Sequence, residues 1–239
     1  MRDNGKPETR DTLLRSWELA YEDHVEQHGS TESSPYLWNE TPIPFLEERD
    51  VIRQMRKDRC HTVLDAGCGD GRNALYLERL GFFVVGVDTS GVALDLAVRR
   101  AQREHQQRVV FIEQDITQMS LRGPFDMVVC ADVMGQIAKP ELALGEFRRV
   151  LRPRGGLLAN FYTKGDATYG CGKRIDEWTF EYRGTLFCYY DESRIRSLMD
   201  EWENIEIRES TWFDPPHGEF RPCPHQHTSI VVSARKPEV

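Results

Sequence analysis

Apolar residues recur along this chain in two rhythms that alternate with one another. Short runs bounded by polar or glycine-rich stretches read as strands: TVL from Thr62, FFVVGVD ending at Asp88, VVFIEQDI ending at Ile116, FDMVVC ending at Cys130 and GGLLANF ending at Phe161. Between them, apolar positions fall three and four apart. Leu94, Ala97, Val98 and Ala101 follow Ser90; Ala143, Leu144, Phe147, Val150 and Leu151 follow Pro140; Ile195, Leu198, Met199 and Trp202 follow Asp191. That spacing puts each set on one helical face turned toward a core, and these stripes carry no chemistry. Asn204 to Trp212 and Thr228 to Ala234 read as two closing strands. The alternation predicts an α/β chain with a doubly wound parallel sheet.

Two regions fall outside it. Ahead of the first strand, TLLRSWELAYEDH carries Leu13, Leu14, Trp17, Tyr21 and His24 on one helical face, and SSPYLWNETPIPF, with three prolines and Trp38, reads as a rigid connector. Later, GDATYGCGK is glycine-rich and expected to be mobile, while WTFEYRGTLFCYY alternates like an added hairpin. The aromatics of that hairpin either pack its two faces or line a pocket. The 239 residues suffice for one domain. Its expected parts are an N-terminal lid or connector (1–45), a core (46–163), the insertion (164–190) and a closing helix with two strands (191–239).

The residue types that carry chemistry stand at the strand ends. TVLDAGCGDG, Thr62 to Gly71, runs from a strand through Asp65 into Gly67, Gly69 and Gly71, and GRNALYLERLG then opens a helix. Glycines at alternate positions before a helix N-terminus suit a turn whose backbone comes close to a ligand. A dinucleotide fingerprint places its third glycine three residues after the second, where this chain has Arg72. Asp65 would repel a pyrophosphate and suits a ligand with an ammonium group. No P-loop motif occurs.

DAGCGDG followed by RNALYL resembles motif I of the class I S-adenosylmethionine-dependent methyltransferases, and the GRNALYL run is similar to their small tellurite-resistance-type branch. The likeness extends over roughly residues 40 to 165, through Asp88 (23 residues after Asp65), VVFIEQDI, FDMVVCADVM and RVLRPRGGLLANF. A lone glycine turn is most often a tight connection, but several strand ends in family order argue against that reading. The resemblance implies a Rossmann-like, seven-stranded sheet of order 3-2-1-4-5-7-6, last strand antiparallel, with helices on both faces. It implies S-adenosyl-L-methionine as cofactor, its methionine part at Asp65, Gly67, Cys68, Gly69 and Arg72. Asp88 and Thr89 would hold the ribose, Asp115 and Ile116 the adenine, and the Cys130–Ala131 backbone the donor's inner edge. Similar enzymes close an N-terminal helix over the donor, which would bring Tyr21 to the sulfonium. The otherwise bland reading of that helix is packing alone.

The formal net charge of −8 leaves no basic surface for nucleic acid phosphates. Six cysteines without a C-x-x-C pair, and a polar N-terminus, lead us to expect a reducing cytoplasmic setting. No apolar run approaches ~20 residues, so no membrane span is expected. The expected partner is a small-molecule substrate, and the chain is expected to be a monomer or homodimer.

For the acceptor, Trp38, Tyr162, Trp178 and His217 are substrate candidates. The tail WFDPPHGEFRPCPHQHTS gathers His217, Cys223, His225 and His227. Its spacing fits no zinc motif, so no metal is expected. His217, His225 and His227 remain candidates for a proton acceptor, beside a purely structural role. Methyl transfer needs chiefly in-line alignment, for which orientation supplies up to ~7–11 kcal/mol; a base is required only for an acceptor proton of high pKa. A donor-sensing protein without turnover, or another use of the donor, would carry the same motifs.

Overall fold

The computed structural model describes residues 10–31, 35–214, 216 and 223–238, the side chains of residues 10–15 excepted. The chain begins with α1 (Arg10–His28) and α2 (Arg49–Lys57), then alternates β1 (Thr62–Ala66), α3 (Arg72–Arg79), β2 (Phe83–Asp88), α4 (Gly91–Arg103), β3 (Val109–Glu113), β4 (Phe125–Cys130), α5 (Pro140–Val150) and β5 (Leu151–Tyr162). The small strands β6 (Lys173–Arg174), β7 (Thr179–Tyr182) and β8 (Thr185–Cys188) precede α6 (Glu192–Leu198), β9 (Glu203–Asp214) and β10 (His225–Arg235).

The main sheet has the order β3-β2-β1-β4-β5-β10-β9, as expected once the insertion's strands are set aside. β10 alone among these strands runs against its neighbours, β5 and β9. Side chains alternate across β1: Val63 packs with Met55, Leu77 and Trp212 on one face, and Leu64 with Val128, Phe147 and Trp202 on the other. Both faces are therefore covered, and every parallel strand aims its carboxyl end at the same rim.

Three helical stripes differ in detail from expectation: α5 ends at Val150, so Leu151 opens β5. Val98 is 38 % exposed, because Leu94, Ala97 and Ala101 already fill the buried face of α4 and Val98 lies past its edge. α6 ends at Leu198, so Met199 and Trp202 reach the core from the following turn, where the Trp202 N–H donates to the Met199 carbonyl. The insertion is a three-stranded sheet, β6-β7-β8. Its glycine-rich start is anchored: Asp166 and Thr168 are buried, and the Asp166 carboxylate accepts from the Thr168 N–H and hydroxyl. α1 bridges the two parts, packing on α4 and placing Ser16 Oγ 2.8 Å from Thr185 Oγ1 of β8. Helix and insertion thus meet above the strand ends.

Candidate active site

The glycine turn after β1 is shaped by contacts no side chain would permit. At Gly67 (φ 79°) a Cβ would stand 2.3 Å from a Val133 methyl; at Gly69 (φ 51°) it would stand 2.5 Å from the Tyr21 hydroxyl. Asp88, at the end of β2, fixes this turn: its two oxygens accept the N–H groups of Gly69 (2.8 Å) and Ser90 (3.0 Å). A carboxylate offers about four acceptor sites, so capacity remains for a ligand hydroxyl. Burial raises the Asp88 pKa, while hydrogen bonds from Ser90, Gly69 and Thr89 restrain it. Gly69→Ala is expected to weaken donor affinity at least ~10-fold, from strained φ and displaced Tyr21. Adding Tyr21→Phe should recover part of that loss in calorimetry, because it removes the clashing hydroxyl; no recovery would rule out the contact.

A cap closes this end of the cleft. Asp70 Oδ2 accepts from Arg100 of α4 (2.9 Å) and from the Leu37 N–H (2.9 Å), and Arg100 also donates to the carbonyls of Asp70 and Pro35. His24 of α1 lies 2.9 Å from the same Pro35 carbonyl, and Arg100 stacks on the Tyr36 ring at 3.8 Å. The buried ion pair therefore ties the N-terminal connector to the glycine turn. Trp17 and Trp38 meet edge to face at 5.4 Å on the cleft wall.

The opposite end is polar. Asp132, in a left-handed conformation (φ 60°) just after β4, pairs with Arg72 (3.1 Å) and exchanges two hydrogen bonds with Asn160 of β5. The Tyr162 hydroxyl donates to the Asp132 carbonyl and accepts from Gln136. His227 Nδ1 lies 2.9 Å from Asp166 Oδ2, and His225 Nε2 lies 2.9 Å from His227 Nε2. Burial lowers the His227 pKa, but the Asp166 hydrogen bond and the charges of Asp132, Asp166 and Asp214 outweigh it, for a net rise.

These groups surround one cleft of about 460 Å³ at the carboxyl ends of the strands, whose wall includes Trp17, Asp70, Asp132, Gln136 and Asp214. Among expected site residues, Tyr21, Gly67, Cys68, Gly69, Arg72, Asp88, Thr89, Asp115, Ile116, Ala131, Trp38, Tyr162, His225 and His227 line it. Cys130 does not; it sits inside the core on a central strand. Trp178 lies away, under Lys164 (3.6 Å) and Arg194 (4.7 Å). His217 lies outside the described residues. Of the insertion's aromatics, Phe187 lines the cleft, while Phe180 and Tyr189 pack within the insertion's own cluster. Among described residues, no group of three or more metal-binding side chains could hold an ion. No described helix is long and apolar enough to cross a membrane.

Asp65 is also absent from the lining. It lies beneath the turn, 1 % exposed, and neither oxygen completes a hydrogen bond among the described residues. Burial pushes its pKa up to about 7, Arg72 pulling it down and Asp88 adding to the rise. An acid whose folded value exceeds its unfolded value loses stability for the fold as pH climbs from about 4 to about 7, and no more above. Without donor, Asp65→Asn is thus expected to raise the melting temperature relative to wild type at pH 8 more than at pH 5. An equal effect at both values would show that Asp65 does not titrate in this window.

Asp70, Asp132, Asp166, Gln136 and Asp214 escaped the sequence reading. Two signals were present: the D-x-T of Asp166 and Thr168, typical of a side-chain-capped turn, and the acid directly after β4.

A doubly wound sheet with a glycine turn facing a strand-end acid defines a Rossmann-like cofactor-binding fold. A family model described as "Methyltransferase domain" matches residues 57–206, and the chain belongs to that family, the class I S-adenosylmethionine-dependent methyltransferases, whose cofactor is S-adenosyl-L-methionine. It is 29 % identical over 125 residues to the mitochondrial ubiquinone biosynthesis O-methyltransferase of Schizosaccharomyces pombe, covering 52 % of this chain and 45 % of that one. Trans-aconitate 2-methyltransferase of Azoarcus sp. (strain BH72) is 34 % identical over 124 residues, covering 49 % and 47 %. The chain thus spans about half the length of these curated relatives. In fold it is similar to magnesium protoporphyrin IX methyltransferase from Synechocystis PCC 6803 with bound SAM, at TM-score 0.61 and 17 % identity, covering 97 % of this chain and 100 % of that one.

Proposed function

We propose that this chain transfers the methyl group of S-adenosyl-L-methionine to a small-molecule acceptor bound in the same cleft. The observation that carries this is the cleft itself, with a donor cradle at one end and polar groups at the other. Its volume of about 460 Å³ falls within the ~300–1,000 Å³ of small-molecule pockets. The relatives named for ubiquinone biosynthesis and trans-aconitate support a small acceptor. The residues present fit the donor: Gly67, Cys68 and Gly69 of the turn line the cleft together with Asp88 and Thr89, and the Asp88 carboxylate keeps acceptor capacity for a ligand hydroxyl.

The bound donor supplies an electrophilic methyl on a sulfonium. In this reading Asp88 and Thr89 hold the ribose, Asp115 and Ile116 the adenine, and the Gly67–Gly69 backbone, Cys68 and Ala131 the methionine part. Arg72 acts through Asp132, which it pairs, and Asp65 lies buried beneath the turn. Tyr21 and the Trp17–Trp38 pair exclude water above. Tyr162, Gln136 and Phe187 orient the acceptor, and alignment lowers the barrier.

The test uses donor labelled on its methyl group, incubated with the protein and either the small-molecule or the desalted fraction of a cell extract. Label moving only with the small-molecule fraction is the expected result. Donor binding without any transfer would favour a donor-sensing protein instead.

A further inference from the structure

Asp166, His227 and His225 form a chain at the acceptor end of the cleft that binding and alignment leave without a task. Asp166 Oδ2 lies 2.9 Å from His227 Nδ1, and the Cys223 carbonyl lies 3.0 Å from His225 Nδ1. A carboxylate and a carbonyl only accept, so both Nδ1 atoms carry hydrogen. In the neutral rings each Nε2 then presents a lone pair to the other across 2.9 Å. That contact is repulsive until one proton enters between them, where it forms a charge-assisted hydrogen bond. The pair is built to take up one proton.

The surroundings favour the proton. Asp166 follows β5 and is itself held by the Thr168 hydroxyl and the Thr228 N–H; Asp214 at the end of β9 lies 3.7 Å from His227 Nε2. Asp132 faces the ring from the end of β4, partly offset by Arg72 of α3. Tyr162 of β5 stacks on His227 at 6.3 Å, and the Tyr189 hydroxyl donates to Thr168 Oγ1. Both histidines line the cleft that holds the glycine turn.

We propose that the His225–His227 pair is the proton acceptor of the methyl transfer, so that the acceptor is a molecule whose methylated atom carries a dissociable proton, an alcohol, phenol or thiol. The proposal rests on the methyl-transfer reading above. A lone pair of the acceptor oxygen or sulfur forms the new bond to the methyl carbon, and the carbon–sulfonium bond breaks with its electrons going to the donor sulfur. The acceptor's proton passes to the Nε2 pair, is shared there against Asp166 and Asp214, and leaves to solvent before the next turnover. Transfer is therefore off at low pH, where the proton already occupies the pair, and rises as pH climbs through the pair's joint titration.

The test has two arms on the full chain. In the first, nitrogen NMR of labelled imidazoles in the presence of S-adenosylhomocysteine follows both rings with pH. One joint titration, moved to lower pH by Asp166→Asn, is expected; two independent titrations overturn the proposal. In the second, His225→Gln and His227→Gln are compared with wild type for label transfer to the small-molecule fraction, with donor affinity read by calorimetry. We expect a loss of about 100-fold at neutral pH, with donor affinity unchanged and the pH profile flattened. Wild-type rates and an unchanged profile in both variants overturn it, as does a product methylated on an atom that had no proton to lose. Wild-type protein that binds donor but transfers no label overturns the methyl-transfer reading instead, and the first arm still decides whether the pair shares its proton.

Discussion

Asp88→Ala is expected to weaken binding of S-adenosyl-L-methionine by about two to three orders of magnitude. A hydrogen bond from a ligand hydroxyl to a charged acceptor is worth about 1.5–3 kcal/mol, and each 1.4 kcal/mol is about tenfold. The carboxylate has a second duty: it accepts the N–H groups of Gly69 and Ser90, so its removal also loosens the turn that approaches the donor. A stability loss of about 1–3 kcal/mol should accompany the affinity loss. Asp88→Asn separates the two effects, since its single carbonyl oxygen serves either the turn or the ligand, and it should bind with intermediate affinity. Calorimetry well below the melting temperature measures both variants. An unchanged dissociation constant for Asp88→Ala would remove Asp88 from the donor site.

Arg100→Met is expected to lower the melting temperature by roughly 10 °C. Its guanidinium and the Asp70 carboxylate are almost fully buried, and taking one partner from such a pair costs about 3–5 kcal/mol because the other charge is stranded. The replacement also removes the Arg100 hydrogen bonds to the Pro35 and Asp70 carbonyls, so the connector should loosen from the glycine turn. Donor affinity should fall with it, since Trp38 loses its support on the cleft wall. Combining Arg100→Met with Asp70→Asn should recover part of the stability but not the affinity. Thermal denaturation followed by circular dichroism tests this, and a single-variant loss below about 1 kcal/mol would show that the pair does not carry the cap.

The residues proposed for the donor are legible in the sequence because their signals are local. Gly67 and Gly69 are adjacent to β1, Asp88 ends a strand with its own apolar run, and Asp115 and Ile116 follow the next one. Backbone dihedrals and a period of two encode such features within a few residues, whatever the rest of the chain does. The same locality leaves the side-chain direction at Asp65 and Cys130 open. Their positions along the motif are those of the family, but alternation turns both side chains into the interior, and only the packed sheet shows which way they point. The GDATYGCGK stretch looked mobile by composition, yet its Asp166 is held by groups from residues 168, 227 and 228.

By itself, then, the sequence determined the alternating sheet, the glycine turn, the strand-end acids and, with them, the family. Only the tertiary structure decided what faces them. Asp70 meets Arg100 across 30 residues, Arg72 meets Asp132 across 60, and Asp166 meets His227 across 61. None of these separations has a local signature. They arise because β10 enters the sheet between β5 and β9, and because α1 and the insertion both close over the same rim. A buried charge must find its partner wherever the packed elements bring one, and the order of strands in space sets that choice.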